Sequence, residues 1–102
     1  ALVFIGDAVE ESPDGLCNLA GQCGMLRLPL FLFQEGHDRA VEQTFRTMAK
    51  LSGGAYARFD SNSAGKLADL LGAVASYARG GHAALEKRGG DSAKLLLQQL
   101  KS

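Results

Sequence analysis

Three short apolar runs, separated by segments with helical periodicity, constrain this chain more than any other feature. Ala1 to Ile5 is continuously apolar with a β-branched bias and stops at Gly6–Asp7. Leu28 to Phe33 is apolar on both faces and stops at Gln34–Glu35–Gly36. Ala55 to Phe59 is shorter and stops at Asp60. Short apolar runs bounded by turn residues read as buried strands. The intervening segments are long enough to hold a crossover helix, so the strands are expected to run parallel in right-handed units.

The helical segments carry their own punctuation. Ser12–Pro13–Asp14 is a helix start: a side chain that can cap free N–H groups, a ring suited to the first turn, and an acid at the positive end of the dipole. Leu16, Leu19, Ala20 and Cys23 follow at helical spacing, and three glycines (Gly15, Gly21, Gly24) predict that this helix is short and ends near Met25. Pro29 belongs at the start of the second strand, where its missing N–H costs least. Asp38 is placed to cap a second helix with Val41, Phe45, Met48 and Ala49 inward, stopped by Ser52–Gly53–Gly54. After the polar turn Asp60–Ser61–Asn62–Ser63, a third helix presents a wide stripe of Leu67, Leu70, Leu71, Val74, Tyr77 and Ala78. Gly80–Gly81 should break it. Residues 82–88 read as helical again, and after Gly89–Gly90, Asp91 should cap a last helix with Leu95, Leu96, Leu97 and Leu100.

The expected order is β-α-β-α-β-α-α. It implies an α/β, Rossmann-like three-layer α-β-α sandwich with a parallel sheet, because both faces of the strands read as apolar. Residues 1–79 hold the α/β unit, and 80–102 form a helical extension packed on it or on a partner. In sequential strand order the first strand is an edge. It has no charge or proline to blunt it, so it reads as a strand made to be central in a larger sheet. A strand from a protein partner is therefore expected along residues 2–5, either from a second copy in a homodimer or from an N-terminal fragment. The chain opens without Met directly in a strand pattern, and Ala1 is not expected to be the first residue of the gene product.

Charge and cysteine content exclude several classes. Among 102 residues, 11 Lys+Arg balance 11 Asp+Glu. A nucleic-acid binder needs a basic surplus to neutralise phosphates, so none is expected. Residues 1–51 are net −3 and residues 52–102 net +3, the latter spread over helix faces as solvated surface. No apolar stretch approaches the roughly 20 residues that span a bilayer, and no leader pattern is visible. Cys17 and Cys23 lie about 240° apart around one helix, too far to bond to each other. Two free thiols, one on the apolar face, fit a reducing, cytoplasmic setting.

Each strand ends in an acid: Asp7, Glu35 and Asp60. In open α/β sheets, ligands bind beyond the carboxyl ends of the strands. The loop after the first strand adds Glu10, Glu11 and Asp14. Oxygen ligands in such a loop suit Mg²⁺ or Ca²⁺. The competing reading is that these acids cap the following helices and meet their dipoles. His37 and His82 read as solvated. There is no nucleophile elbow, GxGxxG, P-loop or CxxC, and no serine has a paired base at a readable spacing. No catalytic residue is expected.

Taken together, Leu2–Val3–Phe4–Ile5–Gly6–Asp7, Leu28 to Phe33, and Met48 to Tyr56 with its Leu-Ser-Gly-Gly-Ala-Tyr ending resemble the C-terminal half of a von Willebrand factor A (VWA) domain. The likeness spans about residues 1–79 and is nearest to bacterial VWA proteins of unassigned function. In that family the corresponding strand ends in Thr-Asp-Gly, whose Asp contributes to a metal-ion-dependent adhesion site. That Asp maps onto Asp7, with Gly6 and Ala8 in place of Thr and Gly. The family's Asp-x-Ser-x-Ser loop has no counterpart in this chain. The resemblance therefore implies a protein-binding or assembly module without catalysis and without a complete metal site in these residues. Mg²⁺ or Ca²⁺ contact is implied only in an intact parent domain. Gly6–Asp7–Ala8–Val9–Glu10–Glu11 is also similar to the Mg²⁺-binding Gly-Asp-x-x-x-Asp loop of haloacid-dehalogenase-like phosphatases. That alternative lacks the nucleophilic Asp-x-Asp strand.

Overall fold

A computed structural model describes residues 2–7, 13–60, 62 and 64–100. The elements are β1 (Leu2–Gly6), α1 (Pro13–Met25), β2 (Leu30–Glu35), α2 (Arg39–Ser52), β3 (Ala55–Phe59), α3 (Ala64–Arg88) and α4 (Asp91–Gln99). The three strands form one parallel sheet in the order β1-β2-β3. It is an α/β fold in which strands and helices alternate, with two helices at the C-terminal end.

The pleat of β2 divides the core. Leu30 and Leu32 join Ala20, Cys23, Val41, Phe45, Met48, Ala49 and Tyr56 in a cluster under α1 and α2. Phe31 and Phe33 point the other way, into a cluster with Ala55, Ala57, Phe59, Leu70, Val74, Leu85 and Leu96 under α3 and α4. Helices thus cover both faces, as a parallel sheet requires. The ring of Tyr77 meets Phe31 edge-on at 5.7 Å and sets α3 over the central strand.

Two glycines act by close approach. A Cβ on Gly54 would stand 1.9 Å from the Leu30 carbonyl oxygen, and one on Gly24 would stand 2.1 Å from that of Leu51. Gly54 lets β3 begin against β2, and Gly24 lets α1 lie on the end of α2. At that junction the Ser52 hydroxyl accepts the buried Leu30 N–H at 3.0 Å and donates to the Ala49 carbonyl.

Several boundaries differ from the sequence reading. β2 starts at Leu30 rather than Leu28, because the Leu28 N–H closes α1 by bonding to the Cys23 carbonyl and Arg27 takes a left-handed turn. It then runs through Gln34 and Glu35, which pair with Arg58 and Phe59. The break expected at Gly80–Gly81 is present: Gly81 is non-helical at φ +68, and α3 is two helical segments joined there, the second turned back far enough for Arg88 to pair with Asp69 at 3.4 Å. Leu71 and Ala78 are exposed, so the α3 stripe is narrower than expected. Gly90, not Asp91, is the N-cap of α4 and makes no side-chain cap. Asp38 does cap α2, accepting from the N–H groups of Ala40 and Val41. The Ser12 cap and the loop acids Glu10 and Glu11 lie outside the described residues. Both cysteines are free, Cys23 buried and Cys17 half-buried.

Candidate functional site

The parallel strands end on one side, so their terminal acids gather there. Asp7, Glu35 and Asp60 line a single open cleft of about 330 Å³ with Gly36, His37 and Asp38. Glu35 is half-buried, and Asp7, His37, Asp38 and Asp60 are exposed. Two of the acids serve local backbone geometry: Asp38 caps α2, and Asp60 accepts the Asn62 N–H at 3.0 Å. Among the described residues, no three His, Cys, Asp or Glu side chains converge tightly enough to hold a metal ion. The residues described therefore do not fit a divalent-ion site by themselves, and Asp7 supplies one exposed carboxylate.

Behind the cleft lies a polar relay with no local sequence signature. Gln34 is fully buried; its amide donates to the Asp38 carbonyl at 2.9 Å and accepts the Tyr56 hydroxyl at 2.5 Å. The Arg46 guanidinium lies 4.4 Å from the centre of the Tyr56 ring. Arg46 bonds Glu42 at 2.8 Å, and Arg58 pairs with the same carboxylate. Arg46 first, with Arg58 beside it, holds the Glu42 carboxyl below its ordinary range, although partial desolvation pushes the other way. The relay fixes the start of α2 and hence the wall of the cleft.

The second feature is the contrast between the two edges of the sheet. The Leu2 N–H bonds the Pro29 carbonyl, and in a parallel ladder the groups of alternate residues then turn the same way. Leu2, Phe4 and Gly6 therefore face β2, while the N–H and C=O groups of Val3 and Ile5 point away from the sheet. None of the described residues pairs with them. On β3 the outward-facing residues are Tyr56 and Arg58, and at Tyr56 the Gln99 side chain from α4 acts as a substitute strand. Its Oε1 accepts the Tyr56 N–H at 2.7 Å and its Nε2 donates to the Tyr56 carbonyl at 2.8 Å. One edge is covered at Tyr56, and the other is bare.

Apolar side chains surround the bare edge. Leu2, Val3 and Ile5 are 45%, 36% and 49% exposed. The run read as buried from its composition is thus the exposed edge, since the described chain supplies no strand beyond it. Leu19 is exposed on α1, about 140° around that helix from the Gly24 contact with α2. It therefore faces away from α2. Leu71 is exposed on α3, on the side opposite Asp69, which pairs with Arg88 beside α4. The uncharged run marks the edge in the sequence; the exposure of Leu19 and Leu71 has no local signal, because a helical stripe does not show which flank has a neighbour.

No helix among the described residues is long and apolar enough to cross a membrane. Compared with protein families, curated proteins and solved structures, the chain matches none.

Proposed function

We propose that this chain is a protein-binding or assembly module of the VWA type, a Rossmann-like sandwich half that works by accepting a strand and not by catalysis. The observation that carries this reading is the bare β1 edge: outward backbone groups at Val3 and Ile5 that no described residue pairs, with exposed apolar side chains on both faces of the strand. An uncharged edge without proline or inward lysine is a template for another strand, and strand addition is an established mode of recognition. The asymmetry with the β3 edge supports it, because there Gln99 already occupies the same kind of groups. In an intact parent protein, Mg²⁺ or Ca²⁺ contact through Asp7 would require ligands from outside the described residues.

The test uses a short labelled peptide of alternating valine and lysine, and the same peptide N-methylated at alternate residues. Saturable binding is expected for the first, with slowed amide exchange at Val3 and Ile5, and loss of both effects on N-methylation. Binding indifferent to N-methylation, or no protection at Val3 and Ile5, overturns the proposal.

A further inference from the structure

We infer that the occupant of the β1 edge is a second copy of this chain, paired antiparallel about a two-fold axis through Phe4. The inference rests on the strand-accepting reading above and adds the partner and the register. The outward groups belong to Val3 and Ile5 alone, and these residues are placed symmetrically about Phe4. An antiparallel pair centred there sets Val3 opposite Ile5 of the second copy, and Ile5 opposite its Val3. Each of these is a hydrogen-bonded pair, with Cα atoms about 5.5 Å apart, and together they make use of all four outward groups on each strand. No other register of the five-residue strand on itself does so.

The side chains agree with that register. Val3 and Ile5 share the face of Phe31 and Phe33, so pairing places one branched apolar side chain beside another across the junction. On the opposite face Leu2 falls beside Gly6 of the second copy, which has no side chain to obstruct it. A two-fold axis perpendicular to the sheet keeps the α1 layers on one side of the joined sheet and the α3 layers on the other. No charged residue lies in Leu2–Gly6, so the pairing opposes no like charges.

Size and closure follow. Five residues at about 3.3 Å each make an edge roughly 17 Å long, and a helix, a sheet and a helix stack to roughly 30 Å. Each copy thus offers about 500 Å², and the pair about 1,000 Å² in total, the lower bound for a specific interface. A reversible, concentration-dependent dimer is expected. Growth beyond two copies is opposed at the β3 edge, where Gln99 occupies the outward groups of Tyr56.

Light scattering after size exclusion should show a mass rising from 10.7 kDa towards twice that value as loading increases from about one to several hundred micromolar, the range an interface at this lower bound implies. Ile5→Lys, a change at an exposed position, should weaken the dimer at least tenfold while leaving the circular dichroism spectrum unchanged. Register is tested by cross-linking in a background with Cys17→Ser and Cys23→Ala. A mixture of Val3→Cys and Ile5→Cys chains should oxidise to the mixed disulfide faster than either variant oxidises alone. A monomer at every concentration overturns the inference, as does a dimer indifferent to Ile5→Lys. Preferential cross-linking of position 3 to itself, or of 5 to itself, overturns the register. If the chain is monomeric but the valine–lysine peptide still protects Val3 and Ile5, strand acceptance stands and only the second copy fails. If the peptide does not bind either, both fall.

Discussion

Replacing Gln99 tests whether the β3 edge is held closed by hydrogen bonding or by bulk. Its carboxamide satisfies the N–H and C=O of Tyr56 at 2.7 and 2.8 Å, in a half-buried position. Each such bond contributes about 0.5–1.5 kcal/mol net. Gln99→Ala opens the site to water, which can solvate both groups, so the expected loss is about 1–3 kcal/mol. Gln99→Leu keeps the volume and excludes that water. It leaves a donor and an acceptor without partners at about 1–3 kcal/mol each, so its loss should exceed that of alanine. Packing alone predicts the opposite order, since leucine retains more apolar contact. Urea unfolding followed by circular dichroism at low micromolar concentration measures both, with the slope m expected to stay constant. Amide exchange at Tyr56 should accelerate in the alanine variant. A loss below about 0.5 kcal/mol for both variants, or a leucine variant more stable than the alanine one, would refute the argument. With the plug gone, the variant should also associate beyond two copies at high concentration, because it then has two open edges.

Ser52→Ala should cost about 1–3 kcal/mol, because the buried Leu30 N–H loses its acceptor and water cannot reach it; thermal unfolding that shifts by less than about 2 °C would contradict this. Mg²⁺ or Ca²⁺ should bind this chain only weakly, since the described donors do not converge on an ion; micromolar calorimetric binding that Asp7→Ala abolishes would show that the donor set is complete. Stability should fall in acid. The folded state holds the Glu42 carboxyl below its ordinary 4.5, through Arg46 and then Arg58. It holds that of Asp69 below 3.8, through Ser92 and then Arg88. A lowered pKa means that the unfolded chain takes the proton first. The stabilisation is therefore present above these ordinary values and is lost as pH falls through the lowered ones. Glu42→Gln should flatten that acid limb in unfolding scans, and a limb of unchanged steepness would count against the pairing.

What could be read from the sequence follows from what is local. β3 was placed at Ala55–Phe59 because Gly54 and Asp60 bracket it, and α2 because Asp38 and Gly53 act within one turn of its ends. β2 was displaced at both ends because its limits are set elsewhere. The Leu28 N–H belongs to the end of α1, while Gln34 stays in the ladder because Tyr56, 22 residues away, satisfies its buried amide. A polar pair in an apolar run looks like a strand end until the partner is known. The acids of the cleft were legible for a topological reason: parallel strands deliver all their carboxyl ends to one side. Gln99 was not legible, because it sits in an amphipathic helix as an ordinary polar residue and meets Tyr56 across 43 positions.

The distribution of the core bears on the strand-accepting role proposed for the β1 edge, because that edge contributes little to the interior. Both buried clusters are built on β2 and β3 and the helices above and below them; from β1, only Phe4 packs against either. Val3 and Ile5 contribute backbone groups and exposed apolar surface, so their side chains can change with little effect on the interior. Elements with few buried contacts open most readily and are where binding surfaces are drawn from. On β3 the reverse holds. Ala55, Ala57 and Phe59 are all core, and an opening there would disturb the cluster that α4 closes. Gln99 at Tyr56 on that edge and bare backbone groups on the other divide the sheet into a half that holds the core and a half that contributes little to it.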